Sequence, residues 1–522
     1  NEHGKREQNI CFKYKCNFLN MKLLILIFFG IFSTLQSLNI NSTKDSIYFQ
    51  FEPITVTVDR FELNLKKSPF SIDKIKNQNY EKNVSINDFL NSSAGVFNQN
   101  ENNFAQDLRV SIRGFGARSS FGIRGIKILV DGIPESTPDG QTQVDNIDMG
   151  FIEKIEIIKG LVSSQYGNSS GGVISLTSSE IDDNLFLETR YLIGSYGLNQ
   201  IQIKTSKKFN KSNYLLSFSR NQGNGFREHS KFLSNIFNAK MNWFVSEKLK
   251  LLFLYNYSNS PIAEDPGALS LENINLNWKE ARDKNLLFDS GEKVKQSKIG
   301  LLLERKFNEN QTYKFKTYYI SRSFSNRLPF QNGGQVEFSR NFFGLSNLLL
   351  LRKNLFGFSS NLSIGLDIES QIDLRNRYDN LNGNRGDKVF QQDEIFLNQA
   401  FFIEQKVDLS KKIDFILGVR YDNNIIKAID KFFDDGNSSG DIHLSNFSPK
   451  IAFVFSHDNK TLFSNIASNF ETPTLNEFSN NPNLSGGFNQ ELSPQFSRQI
   501  EFGIRSFKKN FLYNFSLFFI DI

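Results

Sequence analysis

The chain has 522 residues, more than one ordinary core accommodates, so at least two domains are expected. Phenylalanine occurs 54 times and aromatics make up 14% of residues, yet mean hydropathy is −0.37; this excludes a bundle of apolar transmembrane helices and leaves a large soluble all-β protein or a membrane β-barrel. The formal charge of +6 comes from Lys and Arg spread along the chain rather than gathered in a patch, so no nucleic-acid partner is implied.

Both cysteines, Cys11 and Cys16, precede the first methionine, Met21. The remainder is cysteine-free, which rules out a disulfide scaffold, a thiolate metal site and a Cys nucleophile there. Residues 1–20 are polar and basic and read as an upstream extension outside the fold. Residues 21–38 read as a signal peptide: Met21-Lys22, an apolar core over 23–32 too short to span a bilayer, then a small and polar exit over 33–37. Residues 39–60 read as a flexible segment. It carries Ile54-Thr55-Val56-Thr57-Val58, a β-branched run with nothing local to pair with. Such a run suits strand addition to another protein's sheet edge, or it opens the next domain.

Residues 61–182 read as a small mixed domain of short strands, predicted over 110–113, 126–130, 154–159 and 172–177. The joints between them are Gly114-Phe115-Gly116, Asp131-Gly132, Pro138-Asp139-Gly140 and the glycine-rich stretch 167–172. From 183 to 522 the strands lengthen and alternate. Leu249, Leu251, Phe253, Tyr255 and Tyr257 are apolar at every second position; so are Leu362, Ile364, Leu366 and Ile368, and Phe415, Leu417, Val419 and Tyr421. Their neighbours include Ser363, Asp367, Arg420 and Asp422. Period-2 alternation gives one wet face and one apolar face, and Phe and Tyr recurring near strand ends favour a lipid-facing wall with aromatic belts. Longer polar loops are expected at 258–292 and 375–393. The chain ends at Ile522 inside an alternating run from Tyr513. An open edge in lipid leaves unpaired backbone groups, so the barrel is expected to be C-terminally truncated.

Several segments together resemble the TonB-dependent outer-membrane receptor family. In the plug region these are Val110-Ser111-Ile112-Arg113-Gly114-Phe115-Gly116, Ile128-Leu129-Val130-Asp131-Gly132-Ile133-Pro134, and Ile152-Glu153-Lys154-Ile155-Glu156-Ile157-Ile158-Lys159-Gly160. Downstream they are Ser468-Asn469-Phe470-Glu471-Thr472-Pro473-Thr474-Leu475-Asn476-Glu477, Glu491-Leu492-Ser493-Pro494-Gln495 and Ile500-Glu501-Phe502-Gly503. The chain departs from the family pattern at Leu161, where Pro is common, and at Gln495, where an acid is usual. The segments 118–125 and 138–143 are most similar to the ferric-citrate-receptor-like branch.

The resemblance implies an all-β transmembrane barrel of about 22 strands, with an N-terminal mixed α/β plug filling its lumen. It further implies export to the Gram-negative outer membrane and active uptake of a scarce ligand. A ferric siderophore or ferric citrate-type iron chelate is expected, with pyrroloquinoline quinone or a cobalamin, or a passive porin-like barrel, as alternatives. Ile54, Thr55, Val56, Thr57 and Val58 fall where the family keeps its TonB box, so TonB and outer-membrane lipid are the implied partners. Arg118 and Arg124 are candidate ligand contacts in the plug's apical turns through the guanidinium fork, with Gln141 adding a hydrogen bond. Arg113 and Glu153 or Glu156 are candidates for plug-to-wall ion pairs, or ordinary strand charges. No enzyme, cofactor or metal is expected: Ser119 occupies the third position of a would-be dinucleotide loop, and His3, His229, His443 and His457 lack ligand spacing.

Overall fold

Beyond residue 185, alternation of apolar and polar side chains drives the chain into one long antiparallel meander. The computed structural model describes residues 68–77, 84–99, 103–119, 122–160, 162–181, 186–479, 487–508 and 511–522. The upstream extension, the signal segment and Ile54 to Val58 lie outside the described residues. All the described residues belong to one unit, Pro53–Ile522.

The plug comprises β1 (Ser71–Lys76), α1 (Asn87–Leu90), β2 (Val96–Gln99), β3 (Arg109–Ile112), β4 (Ile123–Arg124), β5 (Ile126–Val130), β6 (Ile133–Pro134), β7 (Gln141–Thr142), β8 (Ile152–Lys159), α2 (Ser163–Tyr166) and β9 (Gly172–Ser178). Five strands form a mixed sheet in the order β1-β8-β9-β5-β6, with β5 and β9 parallel. The β-branched side chains Ile128, Ile155, Ile157, Ile174 and Val173 fill its core with Leu176.

The wall is a fifteen-stranded sheet in sequence order: β10 (Phe186–Ile193), β11 (Asn199–Lys208), β12 (Ser212–Gly223), β13 (Phe232–Ser246), β14 (Leu249–Glu264), β15 (Gly291–Asn308), β16 (Gln311–Arg327), β17 (Gln335–Leu355), β18 (Phe358–Leu381), β19 (Asn384–Asp408), β20 (Ile413–Asp430), β21 (Gly440–His457), β22 (Lys460–Glu471), β23 (Gln495–Lys508) and β24 (Phe511–Asp521). Short helices α3 (Leu271–Asn277), α4 (Asp283–Leu287) and α5 (Leu475–Phe478) sit in its connections. Among the described residues β10 and β24 are the two edges of this sheet.

Burial in the wall is inverted relative to a soluble protein. On β20 and β21, Asp414, Arg420, Asp422 and Lys450 are at most 3% exposed, while Leu417, Tyr421, Ile451 and Phe453 are 42–49% exposed. A soluble sandwich buries its apolar face, so the outward apolar wall belongs against lipid and the polar face lines a lumen. No helix among the described residues is long and apolar enough to cross a membrane. The crossing is made by strands.

Connections at one end of the wall are turns of two to four residues, at 209–211, 247–248, 309–310, 356–357, 409–412 and 458–459. The long connections, 265–290 and 472–494, lie at the other end. Two loop expectations need correction. The polar segment 258–292 starts as strand, since β14 runs to Glu264. The segment 375–393 is almost entirely strand. There β18 and β19 meet at Asn382-Gly383, both at positive φ (52° and 90°), as a two-residue hairpin turn demands. At 24 and 25 residues, these strands run to roughly 80 Å and project far past an apolar band of about 25 Å. Asn380, fully buried just below the tip, explains why so polar a segment stays ordered. It donates to the carbonyls of Phe288 and Leu328 (3.0 Å each) and accepts from the Gly383 N–H (2.8 Å), tying three connections together.

Candidate functional site: the plug–wall interface

The plug is fastened to the lumen wall by three groups of contacts. The first starts from a local strain. Ile112 and Phe115 exchange both backbone hydrogen bonds at 3.0 Å, which puts Arg113 (φ 52°) and Gly114 (φ 89°) at the centre of a two-residue turn. Asn-Gly is the usual choice there, and arginine is strained at positive φ. What Arg113 gains is the wall. Its guanidinium lies 2.6 Å from Oε1 of Glu501 on β23, donates to Ser516 (3.3 Å) and stacks 4.1 Å over the ring of Phe518. Glu501 is fully buried and also accepts from Asn465 and Gln499 (3.1 Å each). Nearby, Asn465 donates to the carbonyl of Pro69, and Arg505 to those of Ser68 and Phe70. The plug's first described residues are thus held by β22 and β23.

The second group lies on the wall formed by β11 to β17. Asp131-Gly132, again a positive-φ pair (47° and 80°), turns β5 into β6. Around it Lys240 reaches Asp131 (3.5 Å), Lys316 donates to the Gly132 carbonyl (2.9 Å), and Lys298 pairs with Glu135, both nearly fully buried. Further along, Arg322 grips Asp145 with both terminal nitrogens (3.0 and 3.1 Å), and Gln202 and Ser217 donate to Asp148. Ile133 adds an apolar contact among Leu252, Leu254, Tyr318, Ile320 and Phe342. Burial raises the carboxyl of Asp148 above the usual range, against the hydrogen bonds of Gln202 and Ser217.

The third group is at the plug's apex, where the sequence places its candidate ligand contacts. Arg124 and Gln141 are register partners across β4 and β7. Arg124 is engaged by the end of β22 and the residues that follow it: Nε lies 3.2 Å from Glu471, Nη1 2.6 Å from Glu477, and Nη2 donates to the Thr472 carbonyl (3.0 Å). That stretch is braced by a capping box at Thr474 and Glu477, and by Leu475 and Phe478 packed on Phe396 and Ile426 of the wall. Arg118 donates to Gln495 at the start of β23. The structure therefore brings both arginines against the segments 470–477 and 495, and they meet protein acceptors there. Gln141 shares the apex through its strand pairing.

Of the expected plug-to-wall acids, Glu156 pairs with Lys154 (3.2 Å) and Lys74 (3.9 Å) inside the plug, and Glu153 accepts from the Glu180 N–H. Their strand lies inside the plug sheet, so they face plug partners. Acids that do join plug to wall, among them Glu501, Glu471, Glu135, Asp145 and Glu369 (3.4 Å from Lys127), were not singled out as such. Glu501 carried a legible signal, an acid between outward Ile500 and Phe502, and so on the lumen side. The others depend on register between distant strands.

Asp107 supplies a pH-dependent test. Burial lifts its carboxyl to about 6 and Asp145 pushes the same way, while Arg322, Arg340 and a hydrogen bond from Gln143 oppose. Glu292 shares this cluster. In the unfolded chain the acid ionises near its ordinary 3.8. The favourable contribution of its neutral form is therefore complete below about pH 4 and is lost as pH rises to about 6. Plug protection in hydrogen exchange should fall across that window, by up to about 3 kcal/mol at ~1.36 kcal/mol per pKa unit. Asp107→Asn should flatten the curve.

Residues 64–173 match the TonB-dependent receptor plug domain, and residues 242–522, more than half of the chain, match the TonB-dependent receptor-like β-barrel. The chain belongs to the TonB-dependent receptor family. Family members are plugged outer-membrane barrels. Among curated relatives, the chain is 31% identical over 134 residues to the vitamin B12 transporter of Vibrio vulnificus, and 34% identical over 98 residues to the ferrioxamine receptor of Yersinia enterocolitica. These matches cover 25% and 18% of this chain but only 21% and 13% of those relatives. The fold is similar to the unliganded ferric citrate transporter, at TM-score 0.75 and 17% identity over 88% of this chain and 71% of that one. It is also similar to the ferric yersiniabactin uptake receptor of Yersinia pestis, at TM-score 0.68 and 13% identity over 87% and 72% of the two chains.

Proposed function

We propose that this TonB-dependent receptor sits in the outer membrane, reached through the signal peptide at 21–38. It takes up a scarce ligand, a ferric siderophore or ferric citrate-type chelate, by energised transport. The observation that carries this reading is the plug itself: it occupies the lumen and is tied by buried ion pairs on opposite parts of the wall. Passive flow through such a barrel is blocked, so passage requires work on the plug. That work is assigned to TonB pairing edge to edge with Ile54, Thr55, Val56, Thr57 and Val58. Ligand would be received above the apex, where Arg118, Arg124 and Gln141 line the plug side, and the arginines are suited to anionic oxygens. The solved neighbours named for ferric citrate and ferric yersiniabactin, and the ferrioxamine relative, support iron chelates. The vitamin B12 transporter among the relatives keeps a cobalamin as the second reading.

The test is uptake by cells whose outer membrane carries the full receptor, with and without functional TonB. Radiolabelled ferric citrate, a ferric hydroxamate, cyanocobalamin and pyrroloquinoline quinone are offered in parallel. TonB-dependent accumulation of an iron chelate is expected, reduced at least tenfold by alanine at Arg118, Arg124 and Gln141 together. Accumulation that ignores TonB would sink the active-transport reading, and uptake of cyanocobalamin alone would move the ligand to the second one.

A further inference from the structure

The plug's contacts with the wall differ in chemistry from one side to the other. Toward β22–β24 they are polar, or rest on a small apolar contact, Phe115 against Ala467 and the partly buried Ile520. Water can replace hydrogen bonds of this kind one at a time as the surfaces part. Toward β14–β17 the ion pairs of Lys298 and Arg322 are joined by an apolar knob in a socket. Ile133, fully buried, enters an apolar depression in an otherwise polar lumen wall, walled by Leu252, Leu254, Tyr318, Ile320 and Phe342. Gly300 forms the floor. A Cβ there would overlap Cδ1 of Ile133, so the socket exists only because residue 300 has no side chain. Water cannot replace an apolar contact, and the exposed depression would itself be costly to hydrate.

The plug sheet places these fastenings at its two edges. Its order is β1-β8-β9-β5-β6, so β1, which follows the N-terminal segment, is one edge strand and the Ile133 strand is the other. We propose that Ile133 and Gly300 form a fixed anchor: when the N-terminal segment is drawn into the periplasm, the β1 side of the plug leaves while the β5–β6 hairpin stays seated on β14–β17. The way through the barrel then opens beside β20–β24, on the polar side. This rests on the energised-plug reading above, but its test needs neither ligand nor TonB.

The mature receptor, reconstituted in a lipid bilayer, is pulled by its N-terminus in single-molecule force spectroscopy. Residues 17–522 contain no cysteine, so engineered pairs are unambiguous. Cγ1 of Ile133 lies 3.2 Å from where a Gly300 Cβ would stand, which suits a disulfide in Ile133→Cys/Gly300→Cys. The first release is expected to free no more than residues 68–125, about 200 Å of extended chain. Oxidising the Cys pair should leave that length unchanged. Ile133→Ala, and separately Gly300→Val, should lengthen the first release toward the whole plug, while Ile133→Val keeps it. A control pair, Ser71→Cys/Asn514→Cys, joins side chains 3.3 Å apart and should abolish the first release when oxidised. If the 133–300 disulfide shortened the first release, the hairpin would normally have left the wall and the anchor would be wrong. An unchanged length in Ile133→Ala would overturn it equally. Failure of TonB-dependent uptake with these lengths intact would count against the functional reading alone.

Discussion

Glu501→Ala should loosen the plug by about 3–5 kcal/mol, because it leaves the Arg113 guanidinium buried without its counter-charge. Arg113 is 4% exposed at the side chain and Glu501 not at all, so neither charge can turn to water. Arg113→Ala should cost a similar amount for the mirror-image reason: Glu501 would keep only the amides of Asn465 and Gln499. Replacing both should cost less than the sum of the two. Arg113→Asn separates the pair from the turn. Asparagine suits the positive φ at residue 113 better than arginine does, so any loss of stability in that variant comes from the guanidinium's contacts with Glu501, Ser516 and Phe518 and not from the turn. Hydrogen exchange of β1 to β3 in the membrane-embedded receptor would measure all four variants. If protection in Glu501→Ala stayed within 1 kcal/mol of wild type, the pair would be ornamental.

The second large effect concerns Val56. If Ile54 to Val58 is the TonB box, the partner reads its backbone, and the amide of residue 56 or its neighbours donates into the intermolecular ladder. Val56→Pro removes a donor and fixes φ near −65°, so energised uptake should fall to the level of a TonB-less strain, a loss of at least tenfold. Val56→Ala keeps the backbone and should stay within about threefold of wild type, given that β-propensities span only ~1 kcal/mol. Outer-membrane abundance must be matched for both. Equal uptake by the proline and alanine variants would remove the assignment.

Much of the fold was legible because a barrel writes itself into period two. The inward residues of β20 and the outward Leu417 and Tyr421 follow directly from alternation. The plug's turns were legible for a different reason: Asp131-Gly132 and Gly114 need backbone conformations that few residues adopt. The misreading of 375–393 is instructive on this point. Its charge and polarity argued for a loop, yet Asn382-Gly383 is the strongest short hairpin signal available, and polarity on both faces is what a hairpin standing clear of the bilayer requires. The site was less legible. Arg113 was identifiable, but its partner lies 388 positions away, and nothing local encodes such a pairing. The arginines at the apex were found by their segment, whereas Glu471 and Glu477, which hold Arg124, sit in a motif whose partner only folding reveals. Gly300 was invisible for the same reason: a glycine in a strand says that something approaches closely, but not what.

The inward polar face has a consequence for sorting. If the chain is exported to the outer membrane as proposed, each wall strand must eventually lie in a bilayer, yet the chain has to cross the inner membrane first without lodging there. Because Gln200, Gln202 and Lys204 interrupt Ile201 and Ile203, and Asp414, Arg420 and Asp422 interrupt Leu417 and Tyr421, the wall presents no stretch of ~20 apolar residues that would halt translocation. The apolar surface comes into being only once neighbouring strands pair. Membrane affinity is thus a property of the assembled sheet and not of any segment, which lets the chain pass one membrane unrecognised and settle in the next.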